Sequence, residues 1–212
     1  KVVLFVGTKR QAREAIKAAA LSCGMPYLTE RWIGGLITNF EEFKRRMKKY
    51  KGLKEMMATG EIEKYVKKEQ VAIKKEIEKM DRYLSGLTNL EKIPEAIYIA
   101  DLRVEKTALA EAERVKVPVI GVCDSNVDPT KVEYPIPAND DAVNSIRMIV
   151  GLVAEAINEG KAVFEKNKVE AAAMEKKSPA KAQVFASEKS APKAVATTPK
   201  TERRALKKEV AI

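Results

Sequence analysis

Three places in the sequence gather residue types that could do chemistry. The first is Gly7-Thr8-Lys9, which follows the apolar run Val2–Val6 and leads into a helical pattern carrying Arg10 and Arg13. Such a junction stands at the carboxyl end of a strand, where open α/β sheets take their ligands. Free N–H groups of the turn, with Lys9, Arg10 and Arg13, suit a phosphate, including one on a nucleic-acid backbone. The plain alternative is a βα turn in which Gly7 only supplies the bend. The phosphate loop G-x-x-x-x-G-K-[ST] and the dinucleotide pattern G-x-G-x-x-G are both missing. The second place is the set of carboxylates Asp101, Asp124, Asp128, Asp140 and Asp141 at strand ends and a helix start. Their oxygens suit Mg²⁺. Asp124-Ser125-Asn126 and Asp128-Pro129 read better as turns whose side chains bond their own backbone. Asn139 reads as an N-cap, with Asp140 and Asp141 complementing the helix dipole. No metal and no cofactor is expected. The third place is Arg31-Trp32-Ile33-Gly34-Gly35-Leu36-Ile37-Thr38-Asn39-Phe40, which holds the only tryptophan. Paired glycines permit close backbone approach. Arg31 beside Trp32 suits stacking and phosphate contact. Trp32, Gly34, Gly35 and Asn39 are expected to be architectural, with Trp32 inward and Arg31 outward.

Composition narrows the chemistry. The 212 residues hold 40 Lys plus Arg, 30 Asp plus Glu and 0 His, for a net charge of +10. Without histidine, His-based triads and His-ligated metals are excluded. Ser125 has no base beside it. Cys23 and Cys123 are too few for a disulfide framework and read as buried, inert thiols. No turnover and no small-molecule substrate are expected. No apolar run approaches the roughly 18 residues of a membrane span, so no membrane partner is expected and the chain reads as cytoplasmic. It opens at Lys1 directly in an apolar run, which reads as a piece lacking its N-terminal part.

The elements that must position these groups follow from periodicity. Val2–Val6, Ala96–Ala100 and Pro118–Cys123 are buried-strand runs. Helices fit residues 9–23 and 104–115, and a third from Asn139 to a stop at Gly160 with Val143, Ile146, Val150, Val153 and Ile157 inward. Strands alternating with helices predict a Rossmann-like or flavodoxin-like parallel sheet with helices on both faces, over residues 1–40 and 89–164. Tyr134-Pro135-Ile136-Pro137 is expected at an edge or outside the sheet. Residues 41–88 interrupt the alternation. Phe40, Phe43, Met47, Tyr50 and Met57, with Lys54 in the remaining slot, keep heptad steps, and so do Val66, Gln70, Ile73, Ile77, Met80, Leu84 and Leu87. Two such helices around Ala58-Thr59-Gly60 predict an antiparallel coiled-coil hairpin whose seam is its own core. Residues 165–212, rich in Ala, Lys, Pro, Ser and Thr, are expected to be disordered.

Charge is uneven along these parts. Residues 1–40 carry +4, 41–88 carry +5, 89–164 carry −5 and 165–212 carry +6. A polyanion would meet the first two segments and avoid the third. Lys9, Arg10, Arg13, Arg31, Lys44, Arg45, Arg46, Lys48 and Lys49 are the expected phosphate contacts. Gly7 and Asp124 are added to the architectural set. A nucleotide-binding Rossmann-like enzyme using the strand-end turns is the alternative.

The segment Arg31–Phe40 resembles the Arg-Trp-aliphatic-Gly-Gly-x-aliphatic-Thr-Asn-Phe signature of the S-two family of small-subunit ribosomal proteins in its bacterial form. Leu4–Ala12 is similar to that family's strand and following helix. Pro94–Asp101, Glu105, Glu111 and Val117-Pro118 match a second signature in order and spacing, and Tyr134–Ala142 is also close. Asp124-Ser125-Asn126 departs mildly from the usual Asp-Thr-Asn. The resemblance implies a Rossmann-like domain with an inserted coiled-coil hairpin. It implies a structural role in the small subunit, bound to 16S rRNA, with ribosomal protein S-one as a neighbour. It also implies that an early strand and helix of the family precede Lys1.

Overall fold

In the computed structural model, which describes residues 1–176, the three apolar runs form β1 (Val3–Val6), β3 (Ala96–Ile99) and β4 (Val119–Cys123). With β2 (Tyr27–Leu28) and β5 (Tyr134–Pro137) they make a 5-stranded parallel sheet of order β2-β1-β3-β4-β5. This is the flavodoxin-like doubly wound order, whose topological switch point lies between β1 and β3. β5 lies at an edge, where Pro135 and Pro137 withhold donors that no further strand needs.

Alternation along each strand divides the core into two layers. Leu4, Val6, Ile97, Ile99 and Val119 face one way, against Ala108 and Ala112 of α4 (Lys106–Val115). Phe5, Tyr98, Ala100 and Val122 face the other, against Ile16, Ala19 and Cys23 of α1 (Arg13–Cys23) and Ile146, Val150 and Ala154 of α5 (Val143–Lys176). A buried aliphatic or aromatic side chain contributes about 2 kcal/mol, against about 1 kcal/mol net for a ladder hydrogen bond. The two layers therefore dominate the stability of the sheet. Gly7 serves this packing rather than the bend. Its φ is not positive, but a Cβ there would stand 2.8 Å from Ile16 Cγ1.

Between β2 and β3 the chain forms α2 (Phe40–Ala58) and α3 (Lys67–Leu84), packed side by side. The expected seam is buried at its base, and toward its turn some positions open while Ile77 and the turn residue Ile62 stay buried. Phe40, Phe43, Met47, Tyr50, Leu84 and Leu87 are buried, whereas Met57 is 50 % and Val66 70 % exposed. The buried half joins the layer that holds Leu4 and Val6, so the helix pair shares the core of the body rather than owning a separate one. Lys54 does take a seam slot. Its Nζ lies 2.9 Å from Asp81 and 5.0 Å above the Tyr50 ring, and Tyr50 Oη also donates to Asp81. Hydrogen bonds from Lys54 and Tyr50 hold the Asp81 carboxyl below the usual range.

Residues 1–164 make one unit, and the described part of the second, residues 165–212, continues α5 to Lys176. Gly160 does not end that helix. One interior glycine costs about 1 kcal/mol relative to alanine, and the strong formers on both sides carry the helix across it. Residues 165–176, assigned by composition to a disordered tail, are therefore helical; the rest of that tail lies outside the described residues. Val143, expected on the inner stripe, is 42 % exposed.

Candidate functional site

The carboxyl edge of the sheet at the switch point is where a ligand would sit, and the chain fills it with its own ions. Lys9 follows β1, Asp101 follows β3, and Asp140 and Asp141 lie in the connection from β5 to α5. The Lys9 ammonium is 3.0 Å from Asp101, 3.1 Å from Asp140 and 2.6 Å from Asp141, with its side chain 17 % exposed. Burial pushes its pKa down, but hydrogen bonds to the three aspartates outweigh this and hold it above the ordinary lysine value. Thr8 is likewise engaged. Its N–H lies 3.3 Å from Glu105 Oε1, and its hydroxyl donates to the same oxygen. Burial raises the Glu105 carboxyl pKa against the opposing Thr8 bonds, and the charge of Asp101 adds to the rise. Asp101 also accepts the N–H groups of Arg103 and Val104 at 2.8 and 3.0 Å. A phosphate here would meet four carboxylates around a single ammonium. The phosphate-cradle reading of Gly7-Thr8-Lys9 is thus replaced by a closed ionic clasp.

The segment Arg31–Phe40 wraps a second buried charge, the carboxylate of Glu111 on α4. Glu111 Oε1 accepts Trp32 Nε1–H at 3.0 Å and Gly35 N–H at 2.8 Å. Its Oε2 accepts the Ile37 and Thr38 N–H groups at 3.2 and 3.3 Å and the Thr38 hydroxyl at 3.1 Å. Burial alone would raise this carboxyl, but bonds from Trp32, Gly35, Ile37 and Thr38 overcome it and lower the pKa below the usual glutamate value. Gly35 holds φ +82°, a conformation that leaves its N–H aimed at the carboxylate and that side-chain-bearing residues rarely adopt. Trp32 is inward, as the sequence suggests, and Arg31 is exposed.

The turn residues fall into place around these two clusters. Asn139 Oδ1 accepts the N–H groups of Asp141 and Ala142 at 2.7 and 3.2 Å, capping the lead into α5 rather than its first turn. Asp124 Oδ1 accepts Ser125 N–H at 2.6 Å. Asp128 caps a short turn through Thr130 N–H at 3.0 Å. Asn39 precedes α2, yet its side chain makes no cap bond.

The cations sort into engaged and open. Lys9 is enclosed. Arg13 donates to Thr8 O at 2.9 Å and pairs with Glu30 at 3.1 Å. Lys49 pairs with Glu76 of α3 at 2.6 Å. Lys44, Arg45 and Arg46 meet only glutamates of their own helix, at 3.3, 3.6 and 3.5 Å. Exposed pairs like these contribute well under 1 kcal/mol, so they do not hold the side chains away from another anion. Arg10, Arg31 and Lys48 are exposed with no ion pair among the described residues.

The described residues thus form a doubly wound α/β domain whose switch point is closed by its own side chains, with open cations on a loop and a helical arm. Comparison with known proteins gives that domain a family. The model of ribosomal protein S2 matches residues 1–160. The small ribosomal subunit protein uS2 of Coprothermobacter proteolyticus is 47 % identical over 161 residues, covering 76 % of this chain and 60 % of that protein. That of Endomicrobium trichonymphae is 43 % identical over 180 residues, covering 84 % and 74 %. That of Opitutus terrae is 46 % identical over 158 residues, covering 74 % and 52 %. The chain belongs to the ribosomal protein S2 family. It spans 60 % of the length of the Coprothermobacter relative and 52 % of the Opitutus one.

Proposed function

We propose that this chain is a structural constituent of the small ribosomal subunit in the cytoplasm, that it binds 16S rRNA, and that it supports translation without catalysis of its own. Membership of the ribosomal protein S2 family supports the assembly. The observation that carries the RNA contact is the open set Arg10, Arg31, Lys44, Arg45, Arg46 and Lys48, held by nothing stronger than same-helix pairs. Lys9 and Arg13 stand outside this set because the fold engages them. Recognition is by phosphate contact and shape. Neighbouring subunit proteins, ribosomal protein S-one among them, are the protein partners.

The test is equilibrium binding of the full chain to a 16S rRNA transcript across a salt series. Log affinity falls linearly with log salt, by about 0.7 to 0.9 for each phosphate neutralised. Binding that shows no salt dependence, or a chain that stays at the top of a gradient loaded with small subunits at low salt, refutes the reading.

A further inference from the structure

The ten residues from Arg31 to Phe40 divide into those the fold uses and those it leaves idle. Trp32, Gly35, Ile37 and Thr38 bond Glu111, and Leu36 and Phe40 are buried. Gly34 does none of this. It is exposed, its φ is not positive, and a Cβ built on it meets nothing within 4 Å. An alanine would fit there and would stabilise the chain by restricting its unfolded state. The free fold thus has no use for a glycine at this position. The same is true of its surroundings. The Ile33 and Gly34 N–H groups and the Asn39 side-chain amide have no hydrogen-bond partner among the described residues. Gly34 shares a small hollow with Gly35, Asn39, Glu42 and Arg46. The one carboxylate in that hollow, Glu42, is paired with Arg46 at 3.5 Å and with Arg45, which lies outside the hollow, at 3.6 Å.

Bare backbone with free N–H groups, an idle amide and a guanidinium are donors without an acceptor. The phosphates of an RNA strand supply acceptors, and backbone-to-backbone approach needs a residue without a side chain. We propose that Gly34 is a steric gate for RNA: a phosphodiester strand of the rRNA lies directly on the Ile33-Gly34 backbone, with Asn39 and Arg46 donating to its phosphates. This rests on the rRNA-binding reading above and adds the place where the strand comes closest.

Gly34→Ala and Gly34→Val in the full chain test it, with thermal melting and 16S rRNA titration on each. Both variants melt at or above the unaltered chain. Val weakens RNA binding by about tenfold or more and Ala by less, while the salt slope stays the same because no cation is lost. If the unaltered chain shows no salt-dependent binding, the RNA reading fails and the gate with it. If it binds and Gly34→Val binds equally well, only the gate is overturned. A lowered melting temperature for Gly34→Ala also overturns it, since the fold would then need the glycine. If Val spares naked rRNA but reduces uptake into protein-loaded particles, the approaching backbone belongs to a neighbouring protein and the RNA contact is wrong.

Discussion

The body and the helical arm treat charge in opposite ways. In the body, Glu111 is buried and Lys9 half-buried, and each is saturated, Glu111 by neutral donors of one loop and Lys9 by carboxylates that follow β3 and β5. On the arm, Lys44, Arg45 and Arg46 meet only weak pairs and stay open. A tally of lysines and glutamates treats all of these alike. What separates them is whether the fold surrounds the charge with complementary groups from distant sequence: the body does so for Glu111 and Lys9, whereas on the arm only Lys49 and Lys54 reach a partner on the facing helix, Glu76 and Asp81.

The largest effect that would break this contrast is at Glu111. Glu111→Gln keeps the volume but loses the charge and one acceptor oxygen, stranding two N–H groups. We expect a loss of about 4 kcal/mol in chemical denaturation. The pH dependence has a definite sign. A carboxyl whose folded pKa is lowered contributes its full stability above the unfolded pKa and loses it as pH falls through the folded one. The unaltered chain should therefore lose stability in acid, and Glu111→Gln should flatten that loss.

Next is Lys9→Met, which leaves Asp101 and Asp140 buried without a counter-ion. The expected cost is about 3 kcal/mol at neutral pH. A cost well below that of Glu111→Gln, or none, read from chemical denaturation at neutral pH, would break the comparison on the side of the clasp.

The smallest effect on stability is expected from the arm. Arg45→Glu, Arg46→Glu, Lys48→Glu and Lys49→Glu together should change the unfolding free energy by no more than about 1 kcal/mol, most of it from Lys49 and Glu76. The salt slope of rRNA binding should flatten in the same variant. An unchanged slope would mean that the arm points away from RNA.

Much of the body is legible in the sequence because its signals are local. The β-branched runs, the Gly24 stop with φ +62° and the two prolines of β5 each state their element within a few residues. The clusters are not local. Gly35 and Glu111 are 76 residues apart, and Lys9 and Asp140 131 apart. Strand order, which brings the β1 and β3 ends together, is not visible in periodicity, so the sequence offers Lys9 to a phosphate without showing the three aspartates that pair with it. One signal for Glu111 was present. It sits between the inward positions Ala108 and Ala112 on the apolar stripe of α4, and a lone carboxylate there needs buried donors. The helix pair shows the converse. Heptad spacing continues to Val66 and Met57, but spacing alone does not show that the seam opens at these positions.

The clasp at the switch point has a consequence for how the molecule behaves in ionic media. Three carboxylates facing one another at a strand edge would ordinarily recruit a divalent ion from solution, and their geometry would then follow its concentration. Here the neutralising cation is tethered by four methylenes to the same polypeptide. It cannot be chelated, exchanged or diluted away. Chelators that strip magnesium from solution should therefore leave this corner of the protein as it was.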